Sequence, residues 1–285
     1  MSTVTKKLID LDGLATFKSK YDEKIENEIT TIADETIQAL FDNLYATLTY
    51  TTTSANETVQ IAYINSYFDS IIVEEDDEEL LDGTQGEDNA GTVEYTFAEA
   101  GEHTVRVRVI DTDNEDGLSY LFYNCTALTS VSISLFALAK SNISFRNTFY
   151  GCTGLTSLPD DLFANCVNVT DYYGVLWGCS SLVSLPNNLF GSNTNSVSFS
   201  NAIRNCGALE SLPSNLFANC PNATSYNRCF RFDYALTGET PVNSAGLKLW
   251  ELAGTDGYPD EIDGTECFSY CTNLDDYDEI DDDWK

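Results

Sequence analysis

The sequence has few positive charges. Its 285 residues include 14 lysines and arginines against 46 aspartates and glutamates, which gives a formal net charge of -32 at pH 7. A nucleic-acid-binding protein needs a basic surface that neutralises phosphates, and a chain this acidic repels a phosphate backbone. We therefore expect no nucleic-acid partner. The acidic surface is typical of a protein that stays soluble at high local concentration.

Long apolar runs are also missing. No stretch of the sequence reaches the roughly 20 apolar residues that span a bilayer. The first residues lead into Asp10 and Asp12 rather than into the apolar segment of a signal peptide. We therefore expect no membrane insertion and no secretion directed by a signal peptide. An apolar content of 42% nevertheless indicates folded material throughout the chain.

Residues typical of catalysis are scarce. The single histidine, His103, stands in an alternating strand pattern, and no motif supplies partners for Ser-His-Asp or Cys-His catalysis. A P-loop, a dinucleotide-binding glycine motif and a metalloprotease helix are absent from the sequence. Cys267 and Cys271 form an isolated pair without a nearby histidine. We expect no catalytic residue, no metal and no cofactor. A carboxylate pair that hydrolyses polysaccharide stays an alternative, because acidic residues are abundant.

What the sequence does contain is a repeat over residues 122–274. An apolar residue-x2-Cys-x2-Leu pattern, as in Phe149-x2-Cys152-x2-Leu155, recurs every 27 residues, with a second, similar half-repeat inside each period. Units of this length bury their apolar faces by stacking on their neighbours. We interpret the cysteines at equivalent repeat positions as buried free thiols that serve as small hydrophobic side chains. They are Cys125, Cys152, Cys166, Cys179, Cys206, Cys220 and Cys271.

The repeats predict a fold of short elements. Leu-Pro steps and asparagine-rich turns interrupt the apolar pattern, which favours short strands at residues 155–158 and 169–172 and single helical turns such as residues 160–164. The pattern F-x-x-C-x-x-L-x-x-L-P-x-x-L-F, seen at residues 149–163, resembles the BspA-like leucine-rich repeats. The resemblance implies a right-handed leucine-rich-repeat solenoid over residues 118–285, with an acidic C-terminal cap.

Residues 1–45 predict a helical arm. Apolar residues recur there at steps of three and four, which indicates a short coiled coil, and isoleucine in the seam favours a trimer. A helix packed on its own domain is the alternative. The predicted seam consists of Leu11, Leu14, Phe17, Tyr21, Ile25, Ile29 and Ile32.

The same arm carries a motif. Residues 8–21 resemble the L-x-x-L-D-G-L-x-x-F-x-x-K start of phage virion proteins encoded near tail and fibre genes. The resemblance implies that the arm attaches the chain to other virion proteins, so that the protein is made in the host cytoplasm and exposed on the particle surface.

Residues 46–112 predict a β-domain, because β-branched and aromatic residues alternate with polar ones. Residues 93–107 resemble the final hairpin of PKD-like immunoglobulin sandwiches, with Gly101 at the turn, and this implies a β-sandwich spacer. The W-G-D-G turn of that family is replaced by the acidic residues 74–79. We interpret that run as a solvated loop rather than a calcium site. Residues 111–117 are the expected linker into the repeats.

The repeat offers a candidate ligand surface. Aromatic residues at the third-residue positions, which are Tyr172, Phe199 and Tyr226, are expected in the core. The neighbouring aromatic residues outside those positions are the candidate contact residues, because amphipathic rings are good contact residues. These are Tyr173, Trp177 and Tyr234.

The predicted fold is mainly β with short helices, and it consists of an N-terminal helix or coiled coil, a β-sandwich and a C-terminal solenoid. The predicted function is that of a non-enzymatic phage virion protein, a fibre that displays the repeats for adhesion to a host surface protein or glycan. Two alternatives stay open. One is a capsid decoration or head fibre without a receptor role, and the other is a tail-associated polysaccharide hydrolase.

Overall fold

The computed structural model describes residues 46–64, 70–75, 78–84, 91–110, 118–132, 136, 144–163 and 166–285. One compact unit runs from Tyr45 to Lys285. The predicted arm of residues 1–45, with its seven seam residues, and the predicted linker of residues 111–117 lie outside the described residues. The predicted division into a spacer and a repeat domain stays a prediction.

The first part of the described chain forms two small antiparallel β-sheets. Its strands are rich in β-branched and aromatic residues, which fit a pleated and half-buried surface. The larger sheet has five strands in the order β4-β3-β6-β1-β7, and the smaller sheet pairs β2 with β5. The strands are β1 (Ala46–Thr52), β2 (Glu57–Ile64), β3 (Ser70–Glu75), β4 (Glu78–Thr84), β5 (Gly91–Phe97), β6 (Gly101–Ile110) and β7 (Leu128–Val131).

The two sheets share a core. Tyr50 on β1 is fully buried, and its hydroxyl donates a 2.7 Å hydrogen bond to the carbonyl of Ile61 on β2. Phe97 on β5 stacks on the ring of His103 on β6, with the ring centroids 3.9 Å apart. The Nε2 atom of His103 lies 3.0 Å from the hydroxyl of Thr52. The single histidine is therefore engaged in packing between strands.

The predicted PKD-like sandwich is wrong in two respects. β5 and β6 follow each other in the chain but form no hairpin, because β5 pairs with β2 whereas β6 pairs with β1 and β3. The larger sheet also gains β7 from the repeat segment, which pairs with β1. The sheet is thus completed by a strand from outside residues 46–112. The acidic run that was predicted to be a loop instead ends β3 and begins β4, where Glu75 faces Glu78.

The predicted leucine-rich-repeat solenoid of strands and helical turns is also wrong. The described residues contain no α-helix, and beyond Val131 they contain isolated bridges instead of strands. Residues 155–158 are irregular, and residues 160–163 form a turn. Proline after leucine removes a backbone donor in three copies, at Pro159, Pro186 and Pro213, and residues with positive φ interrupt the turns of every copy. The repeats are therefore built mainly from turns.

Backbone hydrogen bonds join each copy to the next. Parallel bridges connect equivalent residues along the chain, from Ser144 to Asp171 to Ser198 to Ser225 to Asp263. Between these bridges, amides of one copy donate to carbonyls of the following copy. Examples are Phe149 N to Val175 O at 2.9 Å, Leu176 N to Ala202 O at 2.8 Å and Ile203 N to Cys229 O at 3.0 Å. We call residues 118–132, 144–163 and 166–285 the repeat stack.

Two positions of each copy adopt the left-handed backbone conformation. Asparagine and glycine dominate them, because these residues tolerate positive φ best. Gly151, at φ +72°, also has no room for a side chain, since a Cβ atom there would overlap the side chain of Asn124. The first position is Tyr120, Asn147, Gly174, Asn201, Arg228 and Glu266, and the second is Asn124, Gly151, Gly178, Asn205, Phe232 and Tyr270. The five-residue segment bounded by these positions has the same turn in every copy.

Buried rings and thiols fill the interior of the repeat stack. The rings interleave from copy to copy, and Phe190 lies 4.9 Å from Phe199 and 5.7 Å from Phe217 between centroids. The thiols of Cys152 and Cys179 donate hydrogen bonds of 3.0 and 3.2 Å to carbonyls of the preceding copy. A cysteine at this position therefore combines a small apolar volume with a second donor to a carbonyl that also accepts a backbone amide.

The thiols are expected to be unreactive in the native chain. All nine cysteines are free and buried, and burial raises the pKa of Cys166 and Cys220 to about 12. The thiolate is the reactive form, so a raised pKa and a closed surface both slow attack. Titration with a thiol reagent near neutral pH should detect no fast thiol in the native chain and nine per chain in denaturant. A cysteine that reacts quickly before unfolding would contradict this packing.

The C-terminal residues cover the last copy. Phe268 N donates to Trp284 O at 2.8 Å, and Glu266 N donates to Asp283 O at 3.0 Å, so residues 283–284 continue the pattern of hydrogen bonds between copies. The ring of Trp284 occupies the space beside Gly264 that any Cβ atom would need. Asp276 also lies in this C-terminal part of the chain. Its buried carboxylate accepts hydrogen bonds from Thr240 and from Lys248 Nζ.

Candidate ligand-binding surface

Arginine is concentrated on one part of the molecule. Four of the six arginines in the sequence lie in the repeat stack, and they are Arg146, Arg204, Arg228 and Arg231. Arg204 and Arg231 lie between the left-handed positions of their copies, Arg228 is itself such a position, and Arg146 lies one residue before one. Because the segments repeat the same turn, the equivalent side chains of Arg204 and Arg231 are brought into register along the stack. A local excess of positive charge follows in a chain whose net charge is -32.

Arg204 lies between two aromatic rings. Its guanidinium carbon is 4.5 Å from the ring centroid of Trp177 and 5.3 Å from that of Phe232. Trp177 precedes Arg204 by one 27-residue period. The Nη1 atom of Arg204 donates a 2.9 Å hydrogen bond to Asn201 Oδ1. Within the part of the chain that the structure describes, no carboxylate pairs with this guanidinium.

The neighbouring arginines share one carboxylate. Glu266 Oε2 lies 2.6 Å from Arg228 Nε and 2.7 Å from Arg231 Nη1. The hydrogen bond from Arg228 is the main cause that lowers the pKa of Glu266, so this carboxylate stays ionised. Loss of solvent, followed by repulsion from Arg231 and Arg228, lowers the pKa of Arg204. Three guanidiniums against one carboxylate leave a local formal charge of 3 - 1 = +2.

Exposed rings border these arginines. Tyr234 and Tyr270 keep 54% and 51% of their surface exposed, although both are large aromatic residues. Tyr270 stacks on Phe232 with a centroid distance of 4.8 Å, and Tyr234 lies 6.4 Å from Tyr270. The guanidinium of Arg231 lies 4.7 Å from the Phe232 ring. We call this surface the arginine–aromatic patch, which consists of Trp177, Arg204, Arg231, Phe232, Tyr234 and Tyr270.

Further rings extend the patch towards the start of the repeat stack. Tyr150 lies 5.1 Å from Trp177, and Tyr123 stacks on Tyr150 with centroids 4.8 Å apart. These spacings are close to the roughly 4.8 Å between hydrogen-bonded strands, so the rings repeat with the copies. Tyr123 and Tyr150 face each other and therefore present their edges, not their faces, to the outside. The result is a continuous row of partly exposed rings that ends at Arg204.

The structure brings two of the three sequence-predicted contact residues into the patch. Trp177 contacts Arg204, and Tyr234 lies 6.0 Å from Phe232 at the opposite end. Tyr173 lies beside the patch, where the guanidinium of Arg146 stacks 3.9 Å from its ring centroid. Two of the three rings are therefore part of the patch.

Sequence reasoning missed the arginines. Arg204 and Arg231 follow Trp177 at one and two 27-residue periods, so the register of the repeat placed all three at equivalent positions. Phe232 and Tyr270 are also equivalent, but the insertion between the last two copies separates them by 38 residues. A comparison of the partly exposed positions of each repeat, one position at a time, would have revealed these residues.

Other predicted candidates lie in the interior. Tyr172 and Phe199 are fully buried and Tyr226 is 1% exposed, so their rings offer no surface to a ligand. The seven repeat cysteines are buried as well. Within the described ranges, no group of three or more histidine, cysteine or acidic residues is arranged to hold a metal ion. The same described residues contain no helix with the length and apolar character of a membrane span.

The chain was compared with family models, curated proteins and solved structures, and none of the three comparisons found a match. The geometry of the arginine–aromatic patch is therefore the main basis for a function, together with the resemblance of residues 8–21 to the start of phage virion proteins.

Proposed function

We propose that this chain is a non-catalytic adhesion protein of a bacteriophage particle and that it contacts the host surface through the arginine–aromatic patch. The observation that carries the proposal is the combination of two half-exposed tyrosines with a guanidinium that has no carboxylate partner in the described residues. Tyrosine, tryptophan and arginine are the residues that contribute most to binding at protein surfaces.

The unpaired charge supports a role in binding. The chain has 46 acidic residues, yet Arg204 contacts the rings of Trp177 and Phe232, and the neighbouring carboxylate of Glu266 pairs with Arg228 and Arg231 instead. A carboxylate beside Arg204 would relieve the repulsion between these cations. The arrangement therefore leaves an attractive position for an external anion.

The repeat stack supports the same role through its rigidity. The five-residue segment bounded by the left-handed positions of one copy is held to the segment of the next copy by backbone hydrogen bonds. These include Gly178 N to Arg204 O at 2.8 Å and Asn205 N to Arg231 O at 2.9 Å. The contact residues are thus fixed relative to one another before a ligand arrives. Such preorganisation lowers the entropy lost on binding.

Attachment to the particle is the part of the proposal that rests on the sequence of residues 1–45, in particular on the motif at residues 8–21. In this proposal the arm joins the chain to other virion proteins and associates with copies of itself, with a trimer favoured. Several patches on one particle raise the effective affinity for a repetitive host surface, even if a single patch binds weakly.

A competition experiment tests the proposed function. Purified full-length chain added to host cells should reduce adsorption of the phage particle, and labelled chain should bind the cells directly. The double substitution Tyr234→Ala and Tyr270→Ala should weaken cell binding at least tenfold, because it removes the two most exposed rings of the patch.

The control substitutions are Val167→Ala and Val183→Ala, which remove side chains of similar exposure outside the patch, at 45% and 44%. This control should bind cells as the wild type does. Equal binding by wild type, tyrosine variant and control would contradict the proposal. Release of reducing sugar from the host surface by the purified chain would overturn its non-catalytic part.

A further inference from the structure

We infer that the arginine–aromatic patch recognises a carboxylate-bearing sugar within a host surface glycan, with the carboxylate bound at Arg204 and Arg231 and the adjoining sugar units held along the row of rings. This inference rests on the proposed function and adds the chemical class of the ligand to it.

The donors of the patch fit a planar anion. An arginine side chain carries five N–H groups in a planar fork, and this fork matches the two oxygens of a carboxylate. In Arg204, Nη1 donates to Asn201 Oδ1, and the Nε atoms of both Arg204 and Arg231 are buried without an acceptor. The Nη2 atom of Arg204 has no acceptor among the described residues. Because the Nε atoms are closed off from solvent, an incoming carboxylate would bind at the Nη2 atom.

The charge of the patch favours a ligand with isolated acidic groups. The local charge is about +2, from three guanidiniums and Glu266, whereas the whole chain carries -32. Salt confines the attraction to within about 8 Å at physiological ionic strength. A polymer with a charge on every unit would be attracted at this point and repelled along the rest of the surface. A glycan with one acidic sugar among neutral ones avoids that repulsion.

The surroundings of the patch favour a sugar over a protein partner. The core of a protein interface is typically apolar, with polar groups at its rim. Small polar side chains instead lie just before the first left-handed positions of two copies, and the hydroxyls of Ser200 and Ser225 are 2.7 Å apart. Ser198 and Asn227 lie in the same stretches of the chain and are partly exposed. The exposed rings of Tyr234 and Tyr270, for the C–H faces of a sugar, and hydroxyls, for its polar groups, are therefore both available.

The row of rings suits a chain of linked units. Trp177, Tyr150 and Tyr123 recur at 5.1 and 4.8 Å along the stack and lead away from Arg204. Tyr234 and Tyr270 border the arginines on the other side and keep half of their surface exposed. A glycan that places its acidic sugar at the arginines can thus extend in both directions over aromatic surface.

The experiment uses the full-length chain and an array of bacterial surface saccharides in two forms, native and with every carboxyl group reduced to an alcohol. The wild type should bind acidic saccharides at least ten times more tightly than their reduced forms. Arg204→Gln should lose at least tenfold in affinity for the native forms, and Arg204→Lys should bind with an intermediate affinity, because lysine keeps the charge but lacks the fork. Arg106→Gln, on β6, removes the same charge elsewhere and should leave binding unchanged.

The outcomes separate the ligand class from the proposed function. Equal binding of native and reduced saccharides, or binding of none of them, would overturn the carboxylate inference. If the chain then still binds host cells in a manner that depends on Tyr234 and Tyr270, the proposed function survives with a different ligand. Capture of an acidic peptide in preference to every saccharide would also overturn the inference. Should Arg204→Gln lower the melting temperature, Arg231→Gln provides the same test.

Discussion

Replacing Phe199 with alanine is expected to lower the free energy of unfolding by about 3 to 5 kcal/mol, the usual cost of removing a fully buried ring. Phe199 has no exposed surface. Its ring centroid lies 4.9 Å from Phe190 and 4.7 Å from Phe217, which occupy equivalent positions one 27-residue period apart. The cavity would therefore form where copies pack on each other. Equilibrium unfolding in denaturant, followed by circular dichroism, measures the loss.

Val197→Ala is the matched control for this substitution. Val197 precedes Phe199 by two residues, but 40% of it is exposed. Its replacement should change the free energy of unfolding by no more than about 0.5 kcal/mol, as is usual for surface positions. Similar losses for the two variants would show that Phe199 does not join neighbouring copies.

Asp233→Asn is expected to stabilise the chain, by an amount that grows as the pH rises. Asp233 is fully buried at a position where the other copies have cysteine. Its Oδ1 atom accepts a 2.6 Å hydrogen bond from Cys206 N, whereas Oδ2 is buried without a partner. Burial raises the pKa of Asp233 well above its ordinary value. Asparagine keeps the acceptor and has no charge to bury.

The direction of the pH dependence follows from proton binding. An unfolded aspartate has a pKa of about 3.9, and above that pH the folded chain holds one proton more than the unfolded chain. Stability of the wild type is therefore lost as the pH rises from about 4 towards the raised folded pKa, by up to about 1.4 kcal/mol per pH unit. The asparagine variant lacks this loss, so its advantage should be small near pH 4 and largest at neutral or higher pH.

Unfolding of both proteins in denaturant at several pH values tests the pH dependence. Asp160→Asn, at an exposed position, is the control and should show no growing advantage. A constant difference between wild type and Asp233→Asn across the pH range would show that Asp233 is ionised in the folded chain. Asn193 shows that a buried asparagine fits at the equivalent place in another half-repeat. Its amide donates hydrogen bonds to Phe163 O and Cys166 O there.

The repeat period was the most informative part of the sequence. It predicted which side chains are buried but not the secondary structure, and both results have physical reasons. Equivalent residues of stacked copies occupy equivalent volumes, so the 27-residue spacing located side chains such as Cys152 and Phe190 that are buried in the structure. The same spacing did not predict the backbone conformation of the copies. Each copy satisfies its amides and carbonyls through its neighbours, so it needs neither a helix nor a long strand, and turn residues suffice.

Pairing between distant segments was also hidden from the sequence. β5 and β6 alternate in the manner of a hairpin, but alternation shows only which faces are buried and does not identify the strand across the hydrogen bonds. The sequence of β7 is part of the repeat pattern, yet β7 pairs with β1, about 80 residues earlier in the chain.

The candidate surface was partly predictable. Trp177 and Tyr234 are large aromatic residues outside the core positions, which made them candidates from the sequence. Arg204 and Arg231 were missed, because an arginine in a repeat is usually interpreted as a solvated surface residue. Their significance depends on Phe232 and Glu266, which reach them only through the stacking of copies.

The central claim is that ligand binding takes place at the arginine–aromatic patch, and hydrogen–deuterium exchange of the full-length chain tests it most directly. Exchange would be measured by mass spectrometry with and without surface polysaccharide extracted from the host bacterium. We predict that added protection is confined to peptides that contain residues 173–177, 204, 228–234 and 266–270 of the patch, or Tyr123 and Tyr150 of the adjoining row of rings. Protection confined to the sheets of residues 46–64 and 91–110, or none in the presence of saturating polysaccharide, would contradict the claim.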